Sequence, residues 1–408
     1  MISDRTSIFF IKSFNRLRNK AQIFSSLADD HYHTRLMHSL EVESISIEIA
    51  KKLIEIRKTD KFQQINFNKL STIALLHDIG HTPFGHVGER TLHKICSGQL
   101  KNPLFPDFKK LKVSCGFKHN INSCLLYKEF LLRNRIPIDE DDVDVIEGLM
   151  KHSGLFYEKD KKCDYGFEYV SAGLSKQISY DDNPSTVEAL IVSLADEIAQ
   201  ICSDYCDLKN SGADVSDLEK AKAFENANPE ILSEFVLHSK NYLVRVLIEN
   251  FDDKSTYKTI MDGLFGRILE DFDNRRRKII KSNEMISTHD STKEIVVEKL
   301  FWYYFKNGLK RKEIVSDYFY RIKRLKCHID VVNEIQELEI EKTKKYLDEV
   351  VSINISKRRS RKFSKKKKNS YKLLYRTYIR TIAVHISKMT DSYANHKIEK
   401  IMSSNNPT

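Results

Sequence analysis

Four ionisable residues lie within or beside apolar, helix-prone segments, and their side chains could bind a metal ion. They are His38, the adjacent pair His77 and Asp78, and Asp196. Imidazole nitrogens and carboxylate oxygens together suit Mn, Fe, Zn or Mg far better than Cu or a thiolate-bound metal. A carboxylate in an apolar setting needs a partner that offsets its desolvation, and a metal ion is the strongest one available. Each residue alone is more often an ordinary core or surface residue, so only their combination is informative.

The sequence around these residues predicts an all-α protein. Only 13 Gly and 7 Pro occur in 408 residues, so few positions interrupt long helical patterns. Such patterns cover residues 13–56, resume at residue 88, and cover residues 120–135, 141–151 and 184–208. The apolar run 70–79 ends at Gly80, and Pro83 and Gly85 disfavour a continued helix over residues 81–86. Residues 158–183 are richer in Gly, Asp and Ser and are predicted as a loop.

Residues 212–401 show long amphipathic segments with few breakers. We predict a boundary near residue 211. It divides the chain into residues 1–210, which contain the candidate ligands, and a helical C-terminal region of residues 211–408. A single continuous helical body fits the pattern equally well, and we find no internal repeat.

Composition narrows the classes of partner and location. The chain has 68 Lys and Arg against 57 Asp and Glu, a formal charge of +11, which is consistent with a nucleotide or nucleic acid as partner. No run approaches the roughly 18 apolar residues that span a membrane, and the N-terminus lacks the order of a signal peptide. The seven Cys form no CxxC pair, so we predict a reducing, cytoplasmic location with Cys202 and Cys206 as core thiols.

Two basic runs interrupt the C-terminal helical patterns, at residues 275–278 and 357–368. The second run has nine basic residues in twelve positions. It is either a solvated loop or a contact for a polyanion, and the sequence leaves both interpretations open. The polyanion could be an activating nucleotide, a neighbouring subunit's substrate or single-stranded nucleic acid. Phe363, Tyr371 and Tyr375 lie nearby and could stack on bases or belong to the core.

Five ordered motifs occur along the chain. They are residues 13–24 with 30–42 (SFNRLRNKAQIF and DHYHTRLMHSLEV), 76–89 (LHDIGHTPFGHVGE), 116–123 (GFKHNINS), 195–199 (ADEIA) and 389–394 (MTDSYA). Together they resemble the motifs of deoxyguanosine triphosphate triphosphohydrolases of the HD superfamily, over most of the chain. The resemblance implies an all-α HD-domain helical fold with additional C-terminal helices, in which residues 1–210 form the HD metal-phosphohydrolase core.

The resemblance implies a ligand set for one metal ion. His38, His77, Asp78 and Asp196 are expected to ligate one divalent cation (Mn, Mg, Fe or Zn), with water and a phosphate oxygen completing the coordination. Arg35 lies three residues before His38, on nearly the same helical face, and the resemblance places it against the triphosphate.

Four further residues are expected at the reacting centre by the same resemblance. His86 is expected to be the general acid for the leaving oxygen or a nucleophile, with Glu89 orienting it. His81 is expected to contact phosphate oxygens, and His119 to be a further active-site histidine. Three other histidines receive no role and are expected on the surface or in loops: His31, His33 and His93.

The resemblance also implies a sugar site. Gln22 and Asp204 resemble the residues that meet the sugar 3′-hydroxyl. The eight residues from Asp196 to Asp204 span about 12 Å of helix, roughly the reach from α-phosphate to sugar. The family usually has Tyr four residues after the last metal Asp, beneath the deoxyribose, whereas this chain has Gln200. The preference between deoxy and ribo sugars, and the preferred base, are therefore open.

The leading hypothesis is metal-dependent hydrolysis of dGTP-like deoxynucleoside triphosphates (dNTPs) to deoxynucleoside and inorganic triphosphate. One alternative is an HD phosphohydrolase that acts on another nucleotide, such as a monophosphate or a signalling nucleotide. Another is a nucleic-acid-binding protein or nuclease with the same metal site. The resemblance also implies a homo-oligomer, a tetramer or hexamer, that nucleotides can activate.

Overall fold

A computed structural model describes residues 5–22, 33–153, 165–166, 170–171, 174, 178, 183–225, 227, 231–282, 284–324 and 365–403. Regular secondary structure in these residues is helical, apart from one isolated β-bridge between Ala21 and Thr34. The predicted all-α fold class is confirmed.

The helices in chain order are α1 (Arg5–Ile8), α2 (Lys12–Asn15), α3 (Arg35–Arg57), α4 (Asp60–Gln63), α5 (Phe67–Leu76), α6 (Gly85–Cys96), α7 (Phe108–Leu111), α8 (His119–Arg133), α9 (Glu140–Lys151), α10 (Val187–Asn210), α11 (Leu232–Glu249), α12 (Tyr257–Met261), α13 (Leu264–Ser282), α14 (Glu284–Asn307), α15 (Lys312–Arg324), α16 (Lys365–Ser387) and α17 (Asp391–Ser403). Short 3₁₀ helices occur at Arg16–Asn19, Leu218–Lys220, Lys222–Phe224 and Gly308–Lys310.

A bundle of α3, α5, α9 and α10 holds the segments that carry the candidate ligands. α10 packs against the other three helices, and α3 and α9 each pack against α5. α3 buries Val42, Ile49 and Leu53 on one face, and α10 buries Ile191 and Ile198. Full burial of each such side chain stabilises the fold by about 1.5–3 kcal/mol relative to exposure. The bundle therefore fixes the helices from which the candidate ligands project.

The continuous helical pattern predicted for residues 13–56 is wrong in its first half. α2 ends at Asn15, and after a 3₁₀ helix the backbone is extended at Lys20. α3 begins only at Arg35, because the hydroxyl of Thr34 caps it and accepts a hydrogen bond from the backbone N–H of Met37. The backbone N–H of Arg35 donates to the carbonyl of Lys20 at 2.9 Å. This pairing, and the burial of Lys20, override the helical pattern.

The loop between α5 and α6, residues 77–84, is called the histidine loop below. It matches the predicted break, although α6 begins at Gly85, inside the predicted loop. Phe84 and Gly85 both have left-handed backbones, with φ of 63° and 55°. This conformation is strained for Phe84, at a cost of about 1–2 kcal/mol, and free of strain for Gly85. A Cβ at Gly80 would lie 2.2 Å from the backbone oxygen of His119, so the loop approaches α8 as only glycine allows.

The helices α14, α16 and α17 form a second hydrophobic cluster with α6. Its aromatic centre includes Phe108, Trp302 and Tyr378, and it also buries Phe84 of the histidine loop. Tyr375, considered above as a base-stacking residue, is buried in this core. The C-terminal helices therefore pack directly against the segment that follows the histidine loop. The division of the chain at residue 211 stays a prediction.

The basic run at residues 275–278 lies on α13, and its arginines are paired with carboxylates. The pairs are Arg275 with Asp271 and Asp217, Arg276 with Asp204 and Asp273, and Arg277 with Asp273. The charge of these arginines is thus largely matched within the chain. Residues 357–364 of the second run lie outside the described residues, as does most of the predicted loop 158–183.

Two further predictions from composition can be compared with the structure. Cys202 and Cys206 are free and half-buried on α10. Among the described helices, none combines the length and the apolar character needed to cross a membrane.

Candidate active site

The structure brings the four candidate metal ligands together. His38 lies in the first turn of α3, His77 and Asp78 at the start of the histidine loop directly after α5, and Asp196 on α10. Ligating atoms of His38, His77 and Asp78 all lie within 4.8 Å of one another. Oδ1 of Asp196 is 2.8 Å from Nε2 of His38 and 3.6 Å from Nε2 of His77. The packing of α3, α5 and α10 thus places side chains from distant parts of the sequence around one point.

The ring of His77 is oriented so that one nitrogen faces both carboxylates. Its Nδ1 donates a hydrogen bond to the carbonyl of Ala74 at 2.7 Å, which leaves the lone pair of the neutral ring on Nε2. This Nε2 lies 3.6 Å from Oδ1 of Asp78 and of Asp196, and has no hydrogen-bond partner among the described residues. A buried, unsatisfied acceptor is costly. Its surroundings fit a divalent cation.

Residues of the 116–123 motif hold the histidine loop in place. The hydroxyl of Ser123 donates to the carbonyl of His77 at 2.6 Å and accepts from the backbone N–H of Gly80 at 2.9 Å. The side-chain amide of Asn122 donates to the carbonyl of Gly80 at 2.7 Å. This motif therefore fixes the backbone from which His77 and Asp78 project.

Both candidate carboxylates are ionised. Burial alone would raise the pKa of Asp78, but the Arg35 guanidinium and the His77 ring hold it well below its usual range. Burial also opposes ionisation of Asp196, whereas His77 and His38 lower its pKa to about 2. Two ionised carboxylates beside two imidazoles give the site the charge and the donor atoms that a divalent cation requires.

Arg35 lies inside the site, beside a candidate ligand. Its Nη1 donates to Oδ2 of Asp78 at 2.5 Å, and its Nη2 donates to the carbonyl of Gln22 at 3.2 Å. Its Nε has no hydrogen-bond partner in the described part of the chain. Arg35 lies one turn before His38 on α3, and two of its three nitrogens already contact protein groups.

Glu89 lies between two histidines. Its Oε2 is 2.9 Å from Nδ1 of His119 and 3.4 Å from Nδ1 of His86. Burial alone would raise the pKa of Glu89, but His119 and His86 hold it well below its usual range, so the carboxylate is ionised. Glu89 is buried, whereas 56% of the His86 side chain is exposed. The arrangement provides one accessible imidazole whose Nδ1 faces an orienting carboxylate.

His81 is buried against the same group. Its ring stacks on that of His119, with the centroids 4.0 Å apart and the planes at 20°. Burial, together with the charges of Arg35 and His119, holds the pKa of His81 well below its usual range, so the ring is neutral. Its Nδ1 has no hydrogen-bond partner among the described residues. The ring is therefore available for a phosphate oxygen as a neutral hydrogen-bonding group.

His152 is a site residue that the sequence reasoning missed. It follows α9, its ring centroid lies 5.0 Å from that of His77, and its Nε2 lies 3.3 Å from Nε2 of His119. Its Nδ1 donates to the carbonyl of Leu149, and burial with the two neighbouring histidines lowers the pKa of His152 to about 3. With Asp78 and His119 it forms a second group that could hold a metal. It directly follows the helix predicted over residues 141–151, much as His77 follows α5, and this position could have identified it.

The two candidate sugar residues have unused acceptor atoms. Oδ2 of Asp204 accepts from Arg276 of α13, while its Oδ1 has no partner among the described residues. Oε1 of Gln22 is likewise without a partner in these residues. Gln200 is half-buried on α10, between Asp196 and Asp204. Arg276 was not predicted here, because it is 72 positions from Asp204 and no local pattern indicates their contact.

Of the histidines expected on the surface or in loops, His93 lies instead on α6, whereas His33 lies in the loop before α3, as expected, and forms an ion pair there. The side chain is 23% exposed, and its Nδ1 lies 3.1 Å from Oδ1 of the buried Asp207 on α10. Its Nε2 lies 3.5 Å from Glu41. Hydrogen bonds to Asp207 and Glu41 raise the pKa of His33 to about 10. The carbonyl of His33 accepts from the backbone N–H of Gln22 at 3.0 Å, so the ion pair supports the segment that carries Gln22.

This ion pair predicts a pH-dependent loss of stability in the His33→Asn variant. The pKa of His33 is raised above the unfolded value of about 6.5, so its contribution is fully present below that pH and is lost as the pH rises through 10. We expect the variant to lose about 2 kcal/mol of free energy of unfolding at pH 6, and progressively less towards pH 10, in urea titrations. The matched variant His238→Asn, at an exposed histidine of α11, should show no such trend. An equal deficit for His33→Asn at both pH values would contradict the assignment.

The HD domain family matches residues 35–201, the part of the chain that carries His38, His77, Asp78 and Asp196. The helical fold, the His and Asp groups and this match define an HD-domain phosphohydrolase.

Curated relatives give the family within this class. The chain is 30% identical over 335 residues to the deoxyguanosinetriphosphate triphosphohydrolase-like protein of Neorickettsia sennetsu, which covers 78% of this chain and 77% of the relative. Proteins of the same description match from Rickettsia canadensis (34% over 269 residues; 64% of this chain, 61% of the relative) and Rickettsia prowazekii (28% over 329 residues; 72% and 76%). The chain belongs to the deoxyguanosinetriphosphate triphosphohydrolase-like family, and the predicted resemblance is confirmed.

Proposed function

We propose that this protein hydrolyses dNTPs to deoxynucleoside and inorganic triphosphate in a reaction that needs one divalent cation. The observation that carries the proposal is the meeting of two carboxylates and two imidazoles, from α3, the histidine loop and α10, beside the group of His86, Glu89 and His119. The names of the relatives support a dGTP-like substrate.

His38, His77, Asp78 and Asp196 are the residues we assign to the cation, which is Mn, Mg, Fe or Zn. A cation bound there would polarise a phosphate oxygen and activate water. Asp78 and Asp196 are already ionised, so both carboxylates can bind a cation without losing a proton. In the neutral form of His77, the Nδ1–H donated to Ala74 leaves the Nε2 lone pair for the cation.

His86 is the residue we assign to protonation of the leaving 5′-oxygen. Ionised Glu89 accepts the Nδ1–H of His86, which leaves Nε2 as the nitrogen that can reach the substrate. Imidazole is the side chain best suited to deliver a proton near neutral pH. Glu89 contacts His119 through the same oxygen, so one carboxylate orients both rings. The exposure of His86 gives it access to a bound substrate.

The sugar and phosphates are assigned to residues around this centre. Oδ1 of Asp204 and Oε1 of Gln22 are acceptors without partners among the described residues, as the recognition of a 3′-hydroxyl requires. Arg276 holds the other oxygen of Asp204 and so orients the free one. We assign Arg35 and the neutral His81 to phosphate oxygens.

We further infer that the active form is a homo-oligomer, a tetramer or hexamer, that nucleotides activate. The family resemblance supports this inference, and residues 357–368 are the basic segment that would contact a nucleotide or single-stranded nucleic acid. Light scattering after gel filtration, with and without each dNTP, tests the oligomeric state.

Product analysis tests the proposed reaction. Each dNTP is incubated with Mn or Mg, and the products are separated by anion exchange, with the Asp78→Ala variant as the inactive control. We expect deoxynucleoside and inorganic triphosphate in equal amounts. Turnover of a monophosphate or signalling nucleotide instead would favour another HD phosphohydrolase activity. Tight binding of single-stranded DNA without turnover, unchanged in Asp78→Ala, would favour a nucleic-acid-binding protein.

Substitution of Gln200, which lies between Asp196 and Asp204 on α10, is expected to change the sugar specificity. By the family resemblance, Gln200 stands where a Tyr usually lies beneath the sugar, and such a ring would leave no room for a 2′-hydroxyl. We expect Gln200→Tyr to raise the ratio of kcat/KM for dGTP over GTP by about tenfold, the scale of one steric contact in a pocket. Gln200→Leu, which removes the amide without adding a ring, is the matched control. An unchanged ratio of kcat/KM for dGTP over GTP in Gln200→Tyr would contradict a role of this position in sugar specificity.

A further inference from the structure

Asp391 belongs to the 389–394 motif, which the proposed reaction does not use. It is the first residue of α17, and only 6% of it is exposed. Its Oδ1 accepts the backbone N–H of Phe84 at 2.9 Å, and its Oδ2 accepts the backbone N–H of Ala21 at 3.2 Å. One buried carboxylate thus holds both the histidine loop and the residue that precedes Gln22.

Lys20 makes a second connection between the same segments. Its buried ammonium donates to the carbonyl of His81 at 2.5 Å and to the carbonyl of Ser387, the last residue of α16, at 2.6 Å. Its charge also interacts favourably with that of Asp391. The junction of α16 and α17 is therefore bonded to the histidine loop at His81 and at Phe84.

The backbone at Phe84 needs such support. Its φ of 63° is strained, and the next residue but one is His86. The Phe84 side chain is buried in the second hydrophobic cluster, where the ammonium of Lys293 lies 5.0 Å from the ring centroid. Loss of the Asp391 carboxylate would leave the Phe84 N–H buried without its acceptor, and would remove a force that holds the left-handed backbone.

We propose that Asp391 is a positioning residue for the reaction: through the backbone of Phe84 it sets the position of His86, so the C-terminal helices are part of the active-site machinery. The proposal rests on the proposed role of His86. A displacement of about 1 Å at a reacting group can lower the rate about a hundredfold. Loss of the contact between Asp391 and Phe84 is therefore expected to have a measurable effect on the rate.

The test compares two variants of the full chain, assayed with Mn and dGTP. Asp391→Ala loses both acceptors, and we expect kcat to fall about a hundredfold. Asp391→Asn keeps one acceptor oxygen and the side-chain volume, so its kcat should be about tenfold higher than that of Asp391→Ala. Metal content should stay at the wild-type level in both. In the His86→Ala background, Asp391→Ala should change kcat less than about twofold, because the group through which it acts is already gone.

A control variant separates this role from general stability. Thr390 caps α17 by accepting the backbone N–H of Tyr393 at 3.3 Å, so Thr390→Ala weakens the helix but leaves the Asp391 contacts, and kcat should stay within about twofold. Equal losses of kcat from Asp391→Ala in the wild-type and His86→Ala backgrounds would overturn the proposal.

Hydrogen exchange provides a readout that does not depend on activity. Exchange at the amides of residues 81–88 should accelerate in Asp391→Ala, or in Asp391→Asn if the former does not fold, while exchange in α3 and α10 stays unchanged. Unchanged exchange over residues 81–88 would also overturn the proposal. If the protein releases no triphosphate, this measurement still distinguishes a failed contact from a failed reaction assignment.

Discussion

Replacing His77 with Ala is expected to abolish both metal retention and turnover. Nε2 of His77 is 3.6 Å from a carboxylate oxygen of Asp78 and of Asp196, so this nitrogen lies between the two charged ligands. Its removal leaves the carboxylates with one imidazole, that of His38, which lowers the affinity for the cation and the precision with which substrate is held. We expect metal content below about a tenth of the wild-type value after gel filtration, and kcat/KM at least about a thousandfold lower. Asp196→Ala should behave in the same way.

Metal analysis by mass spectrometry and product release are measured on the same samples. The matched control is His238→Ala, which removes an exposed histidine from α11 and should keep both properties. Far-UV circular dichroism of the metal-free proteins separates loss of the ion from loss of the fold. Wild-type metal content in His77→Ala or Asp196→Ala would contradict the ligand assignment.

The candidate ligands could be proposed from sequence because the ordered motifs that carry the family resemblance contain them, although each residue alone is uninformative. His77 and Asp78 follow a buried apolar run and precede Gly80, and the structure shows why glycine stands there: a Cβ would collide with α8. Arg35 and His38 share a helical face by their spacing alone. The helices α8, α9 and α10 also follow from local patterns, within about three residues at each end.

Contacts between distant segments could not be found in this way. The hydrogen bond from the Phe84 N–H to Asp391 joins residues 307 positions apart, and the sequence around neither residue indicates it. The same holds for Arg276 with Asp204. The start of α3 was missed for a related reason, because the pairing of Lys20 with Arg35 depends on tertiary burial, while the helical pattern continues through this region. Local periodicity indicates which face of a helix is buried, but it does not indicate which residues pack against that face.

The second large effect is expected from replacing His86 with Ala. Loss of a positioned general acid costs about 10²–10⁴-fold in rate, so kcat for dGTP should fall within this range. KM should change less than about threefold, because the assigned phosphate and sugar contacts are made by other residues. Metal content should equal that of the wild type, since His86 is not among the assigned ligands, and this separates the variant from His77→Ala. Steady-state kinetics and metal analysis on one preparation give all three values.

The matched control for His86→Ala is His93→Ala, which removes another histidine from the same helix, α6, two turns further on. Both substitutions remove a histidine from α6, but only His86 lies against Glu89. The kcat of His93→Ala should therefore stay within about threefold of the wild type. Glu89→Gln provides the second arm: it leaves both rings but removes the charge that orients them, so it should lower kcat less than His86→Ala does. The double variant combines His86→Ala with Glu89→Gln. If its fold loss of kcat is at least the product of the two separate losses, the two residues act independently. That result would contradict the assignment of Glu89 as a group that orients His86, because the part of its effect that acts through His86 must disappear once His86 is absent.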